Sequence, residues 1–579
     1  MQQMTINERG KYMRGILKRI IIYISLTIIT TLIFTGCNTN FIGSTKNEDT
    51  ANLADMDEEE QPVSGGAVRM FATKPDTLNP ITSANEYAAK YLKLIFESMI
   101  KLDSNQQAQP FLAEKWKCSE DMLSWQFYLR KDVFWQDDMP LTADDVVFTV
   151  KTIQNMAINS IYKKNVENIL DCTAVNKNTV KIVLKTPNSF TPEQMTFPII
   201  PKHYFEGEDI LLSEKNMKPI GTGPYKFLQY EEGKNIYFQA NEKWWYINSE
   251  NAESTELPYI KDIQVKIYDN PSKEISAFQN KEIDIAFVDD GQVSRYALRS
   301  DLTVKKYISN NYDYISFNLS NTLLSDKNLR QAIAYSIDKT DIINSVIPGD
   351  AVAADFPILP DTAYSKSNVF SYKADKNKAK EILLQNGYFE QDGLMYKSNE
   401  WGNAIPVTLE LIVNSENTVR CKIADKISEE LKKTGITLNV VKITWDELMQ
   451  KINSKMYDMA LIGCKITSVP DLSFMYFSAY TPAQVYQNAL PAVNTSGYKN
   501  DNVDKILTQI LIENDMTKKD KLYHDLKNIV IDELPYLGLY FYYDGVLYNK
   551  NIKGTLSPYI WDPMYDITKW YILYQSPVE

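Results

Sequence analysis

Short apolar runs alternate along the chain with segments whose apolar residues recur at three- and four-residue spacing, and this alternation predicts repeated strand and helix units. "GGAVRMFATKPDTLNP" (65–80) predicts a strand ending at a Pro and Asn turn, and "EYAAKYLKLIFESMI" (86–100) predicts the helix after it. Residues 125–129 alternate as a strand, residues 137–140 turn, and Thr142 caps a helix whose first turn holds Asp144 and Asp145. Those acids belong to a helix start rather than to a catalytic pair. "GTGPYKFLQY" from Gly221 is turn punctuation before a strand; a phosphate loop would need Gly-Lys-Ser/Thr opening a helix. Residues 260–288 predict strand, helix, strand; residues 310–321 predict a strand; residues 326–347 and 420–434 predict helices, the second ended by Gly435 before another strand. In "DMALIGCKITSVPD" (458–471) the apolar run stops at Gly463. It predicts a buried strand whose carboxyl end opens into a loop, the place where open α/β sheets bind ligands.

The ends change the picture. Arg9, Lys11, Arg14, Lys18 and Arg19 precede an uncharged stretch from Ile20 to Phe34 and then "TGC" at 35–37, the layout of a secretory signal. The apolar stretch has 15 residues, and a spanning helix needs about 20, so a cleaved signal over residues 1–36 is expected over a permanent anchor. Residues 38–63 hold one Lys and seven acids with almost no large apolar side chains, so residues 37–66 read as a disordered acidic tether. Loss of residues 1–36 moves the net charge from −12 to −16, which makes nucleic acid an unfavourable partner, because phosphate binding depends on Lys and Arg density. With 37 Tyr, 22 Phe and 9 Trp the remaining chain has material for more than one core.

Cys118, Cys172, Cys421 and Cys464 are widely spaced and include no CxxC, a pattern of isolated thiols rather than of a disulfide framework or zinc site. Only His203 and His524 exist, which removes His-rich metal sites and His-based triads. Both read as structural, and no cofactor is expected.

Several stretches in order, "PDTLNP" (75–80), "PFLAEKW" (110–116), "LRKDVFWQDDMPLTADDVVFT" (129–149), "GTGPYKF" (221–227), "YISFN" (314–318), "LRQAIAYSIDK" (329–339), "AKEILLQNGY" (379–388) and "ELPYLGLY" (533–540), resemble the family 5 extracellular solute-binding proteins of ABC importers. "FTGC" likewise resembles the lipobox of bacterial lipoproteins, with Phe34 in place of the usual Leu; this implies lipidation of Cys37 and a lipid-anchored chain on the extracytoplasmic face of the cell membrane. Gln136 and Asp138 stand where the family has His and Gly in a surface turn. The resemblance implies a two-lobed α/β fold of the periplasmic-binding type (type II), with a subdomain inserted in lobe I. Lobe I would take residues 67–97, 221–310 and 543–579, the insert 98–220, and lobe II 311–542.

The same resemblance implies the site. The strand and loop at 458–471 match the family segment Gly, Trp, two residues, Asp, Tyr, whose Asp takes a peptide's α-ammonium group. Here those positions are Gly463, Cys464, Thr467 and Ser468, with Lys465 and Ile466 between, and Leu461 stands where oligopeptide binders carry an Arg. Peptides with free amino termini are therefore expected to bind weakly. Lys465 is either a contact for an anionic ligand group or a solvent-facing cation. Ala84, Asn85 and Glu86 match a backbone-binding loop, Glu86 being either a partner for a cation or a solvated first-turn acid. Tyr162 and Tyr542 match aromatic pocket positions or are core. The implied function is a binding component that captures a peptide or peptide-like solute, works as a monomer with permease and ATPase subunits, and has no catalytic role. A sensor on the same fold is the alternative. A surface-anchored hydrolase is disfavoured by the absence of Gly-x-Ser-x-Gly and His-Glu-x-x-His.

Overall fold

The structure is a computed structural model that describes residues 62–573 apart from 250–253, 255, 290, 361, 366–371, 468 and 481–493. The segment read as a secretory signal, Cys37, most of the acidic tether and Ser468 lie outside the described residues. Among the described residues no helix is long and apolar enough to cross a membrane.

Eleven strands build the main sheet. They are β1 (Ala67–Thr73), β2 (Tyr225–Glu231), β3 (Asn235–Ala240), β4 (Asp262–Tyr268), β5 (Ile285–Val288), β6 (Leu302–Phe317), β7 (Ala351–Ala353), β8 (Thr408–Asn414), β9 (Thr437–Ile443), β10 (Met459–Lys465) and β11 (Tyr536–Asn549). The order across the sheet is β9, β8, β10, β6, β11, β5, β1, β4, β3, β2, with β7 beside β11 off that path. β1 runs parallel to β4 and β5, and β8 parallel to β9 and β10.

The two central strands join two halves. Residues 302–308 of β6 pair with 543–549 of β11, whose segment 545–548 also pairs with β5. Beyond a register shift between Ile308 and Tyr312, β6 pairs through residues 311–317 with β10 and again with the first part of β11. The cores divide at the same place. One cluster gathers Val68, Met70, Trp125, Trp135, Tyr225, Tyr548 and Trp570. Two others gather residues of 312–542, joined in the second by Phe190 of the 98–220 segment; Ile315, Leu411, Leu461 and Tyr540 lie on one face and Tyr312, Tyr314, Ile462 and Phe541 on the other, as alternation along β6, β10 and β11 requires. The result is a two-lobed α/β fold. A separate antiparallel sheet of residues 113–118, 124–129, 179–184 and 169–176, in that order, lies within the segment 98–220.

The principal helices are α1 (Glu86–Leu92), α2 (Ala143–Gln154), α3 (Lys327–Ser336), α4 (Lys339–Val346), α5 (Thr418–Lys432), α6 (Asp501–Ile512) and α7 (Met516–Glu533). Two expectations need correction. The helix expected over 86–100 ends at Leu92, because the carbonyls of Leu94 and Ile95 accept hydrogen bonds from the backbone of Tyr225 and Gly223 instead of continuing a helical ladder. Gly221 and Gly223 permit this approach, since a β-carbon at either would overlap Ile95 O. Just beyond, the buried Glu97 carboxylate accepts from Trp244 Nε1 (2.9 Å), Trp245 Nε1 (2.8 Å) and Thr222 Oγ1 (2.7 Å). The single helix expected over 326–347 is α3 and α4, since Ile337 is extended and Asp338 caps α4 by accepting from Asp341 N.

Gln136, the departure from the family turn, clamps the 221–225 segment. Its amide donates to Tyr225 O (2.7 Å) and accepts from Gly221 N (3.2 Å).

Candidate functional site

At the carboxyl end of β10, Gly463 lies opposite Asp313 of β6. Asp313 is an acid in the mostly apolar segment 312–317 of β6 and is 0% exposed. A buried carboxylate needs a partner, and α5 supplies one. Arg420 Nε donates to Asp313 Oδ2 (2.9 Å) and Nη2 to Oδ1 (2.7 Å), a two-pronged pair that leaves the Arg side chain 15% exposed. Tyr540 Oη donates to the same Oδ2 (2.8 Å), and Tyr542 Oη lies 3.2 Å from Tyr540 Oη and 3.5 Å from that oxygen. Burial works against the charge of Arg420, and the Asp313 carboxylate more than offsets it, holding the guanidinium above its ordinary pKa.

Gly463 is what admits this pair. A β-carbon there would overlap both Asp313 Oδ1 and Arg420 Nη2. Cys464, the next residue, turns to the opposite face and packs against the cluster of Tyr312 and Tyr314. Burial pushes its thiol up to about 12, with Asp313 adding to the shift and Arg420 opposing it, so the thiol stays protonated at neutral pH and is a poor nucleophile. Tyr542 reaches across the seam: a β-carbon on Gly291, before β6, would come within 3.1 Å of its ring.

The other sequence-derived residues are disposed as follows. Lys465 is exposed at the strand end. Ile466 is buried in the Tyr312 cluster, and its N–H donates to Asn310 O (2.8 Å), so its side chain faces core. Thr467 is exposed and its hydroxyl donates to Val469 O (2.6 Å) within its own loop. The N–H of Ala84 donates to Asp76 Oδ2 (2.7 Å). Asn85 caps α1: its Oδ1 accepts from Tyr87 N and Ala88 N and its Nδ2 donates to Thr73 Oγ1 and Lys74 O, which engages the whole amide in local structure. Glu86 is an exposed acid of the first turn of α1. Tyr162 is half-buried against the large core cluster, and burial raises its phenol pKa. Of these residues Tyr542 reaches the Asp313–Arg420 pair, while Cys464 follows Gly463 in sequence but packs on the opposite face. Among the described residues no hydrogen bond or ion pair links 84–86 or Tyr162 to 464–467.

Sequence reasoning missed Asp313, Arg420 and Tyr540. Two signals were present. Asp313 interrupts "YDYISF", and Arg420 sits in the first turn of α5, where the helix dipole disfavours a cation. Each misplaced charge marks the other, 107 residues apart.

Comparison with known proteins agrees with the fold and with the sequence motifs. Residues 107–486 match the family described as bacterial extracellular solute-binding proteins, family 5 Middle. The oligopeptide-binding protein AppA of Bacillus subtilis (strain 168) is 24% identical over 556 residues, covering 92% of this chain and 96% of its own. The dipeptide-binding protein of Escherichia coli (strain K12) is 26% identical over 418 residues, covering 67% of this chain and 74% of its own. Among solved structures, AppA of Bacillus subtilis in complex with a nonapeptide superposes with TM-score 0.58 at 25% identity, over 89% of this chain and 100% of that one. The unliganded open form of the MppA periplasmic murein tripeptide binding protein superposes with TM-score 0.74 at 19% identity, over 89% of this chain and 99% of that one. A family match through the middle of the chain, on a two-lobed α/β fold that these structures share, makes this protein a member of the bacterial extracellular solute-binding proteins of family 5.

Proposed function

We propose that the protein is the lipid-anchored, non-catalytic binding component of an ABC importer, which traps a peptide or peptide-like solute between its lobes and delivers it to a permease and ATPase. The observation that carries this reading is the match to proteins named for oligopeptide and dipeptide binding over most of both chains. The anchor is a lipid on Cys37, attached after cleavage of residues 1–36, with residues 37–66 as spacer. It acts as a monomer without cofactor, and its acidic charge turns it away from nucleic acid. Lobe I comprises 67–97, 221–310 and 543–579, the insert 98–220 and lobe II 311–542. The register shift of β6 near residue 310 and the split of the apolar clusters support that division. Ligand contacts to both lobes drive closure about the two crossing strands.

Native mass spectrometry of the protein from its own cells identifies the solute that copurifies with it. Uptake of that solute falls in cells lacking the protein. Chemical turnover of the solute by the purified protein refutes the non-catalytic reading, and binding without any effect on uptake favours a sensor.

A further inference from the structure

The Asp313–Arg420 pair leaves Arg420 only partly engaged. A guanidinium carries five N–H donors. Asp313 takes one from Nε and one from Nη2, and the sole further partner among the described residues is Asn414 Oδ1, 3.5 Å from Nη1, at the outer limit of a hydrogen bond. At least two donors therefore point away from Asp313, on a side chain that retains some exposure at the carboxyl end of β10 and beside the seam between the lobes. Its charge is another matter. Asp313 neutralises it at contact distance, and two tyrosine hydroxyls hold Asp313 in place.

From this geometry we infer that Asp313 is a specificity-determining residue: it blocks capture of a free carboxylate by Arg420, which instead receives a neutral acceptor such as an amide carbonyl. An incoming carboxylate would meet donors whose positive charge is already compensated and would lie close to the buried negative charge of Asp313. A neutral carbonyl uses the same donors without that repulsion. The absence of an acid at Thr467 removes the counter-charge for an ammonium end, and the filled Arg420 removes one for a carboxylate end. Both point to a ligand uncharged where it meets this strand end. The inference rests on the binding reading above and narrows its ligand class.

The test is calorimetric titration of the full chain with two pools of N-acetylated tripeptides, one ending in a carboxamide and the other in a free carboxylate. The wild type should bind the carboxamide pool at least tenfold more tightly, and Asp313→Asn should shift that ratio at least tenfold toward the carboxylate pool. Equal or tighter binding of the carboxylate pool by the wild type, or an unmoved ratio in Asp313→Asn, overturns the inference. Acetate needs no peptide pocket and separates the two claims. If neither pool binds, the peptide reading fails, and the charge argument still stands or falls on whether Asp313→Asn binds acetate at least ten times more tightly than the wild type. Where that variant does not fold, the wild-type ratio decides alone.

Discussion

Substitution of Gly463 by Ala should be among the most damaging single-methyl changes in the protein. The added carbon would overlap Asp313 Oδ1 and Arg420 Nη2 and would lie 3.1 Å from Tyr312 O, so the strand and the pair cannot both stay where they are. Tyr312 O belongs to the β6 backbone and is fixed by pairing on both sides, so the side chains must yield. The 2.7 and 2.9 Å bonds then open around a carboxylate that is itself fully buried. Separation of a buried ion pair costs about 3–5 kcal/mol, a large share of the stability of an ordinary domain. Urea denaturation followed by tryptophan fluorescence measures the loss. The control is the same change in an Asp313→Ala/Arg420→Met background, where both overlapping groups are gone. There Gly463→Ala should cost under about 1 kcal/mol, which leaves a coupling of at least about 2 kcal/mol between the glycine and the pair. A loss below about 1 kcal/mol in the wild type, or an equal loss in both backgrounds, refutes the argument.

Burial pushes Glu97 up to about 7 against the pull of its three donors, so the folded chain holds an extra proton between the carboxyl's ordinary value and that pH. Its contribution is full below the ordinary value and is lost as pH rises through about 7, by at most about 3 kcal/mol; Glu97→Gln should flatten the fall in urea midpoint between pH 5 and 7, and should also cost about 1–3 kcal/mol because one indole N–H then faces an NH2 group. Phe190 comes from the 98–220 segment, is 0% exposed, meets Tyr364 edge-on at 6.0 Å, and has Lys519 Nζ 4.0 Å from its ring centroid. Phe190→Ala should lose about 3–5 kcal/mol in chemical denaturation, and a loss under about 1 kcal/mol would contradict that docking. Cys37→Ser should release the protein into the medium or leave an unlipidated precursor, scored by metabolic lipid labelling, and unchanged labelling would sink the anchor.

Local pattern carried much of the fold. Alternation found the strand at 125–129, capping found the start of α2, and Gly435 marked the end of a helix before β9 with a φ of +81°. What failed was settled by distant partners. The run 86–100 has helical spacing, yet Leu94, Ile95 and Met99 are all buried, and their carbonyls accept from Tyr225, Gly223 and Ala113 rather than from the next helical turn. The first half of β6, "LTVKKYIS", is too polar to read as the continuation of "YDYISF"; it is a strand because β11 lies beside it for its whole length. The site suffered most. Family position drew attention to Thr467 and Asn85, whose polar groups serve their own loop and their own helix. The pair that shapes the strand end joins residues whose contact depends on sheet order, which no local spacing encodes.

The crossing strands also decide how the chain can be taken apart. A cut after residue 310 divides β6, and a cut after residue 542 divides β11, so the excised 311–542 fragment would carry two half-strands torn from their continuations. The remainder would have to be spliced from pieces on either side, and it would keep residues 302–308 and 543–549, which pair with each other and close its sheet beside β5. Residues 311–317 likewise keep both β10 and 536–541 in the excised piece, so every ladder pair of the two strands falls within one product or the other. Exchange of lobes between relatives would therefore spare the hydrogen-bond ladders and break only the two chain crossings, near residues 310 and 542, that tie one half to the other.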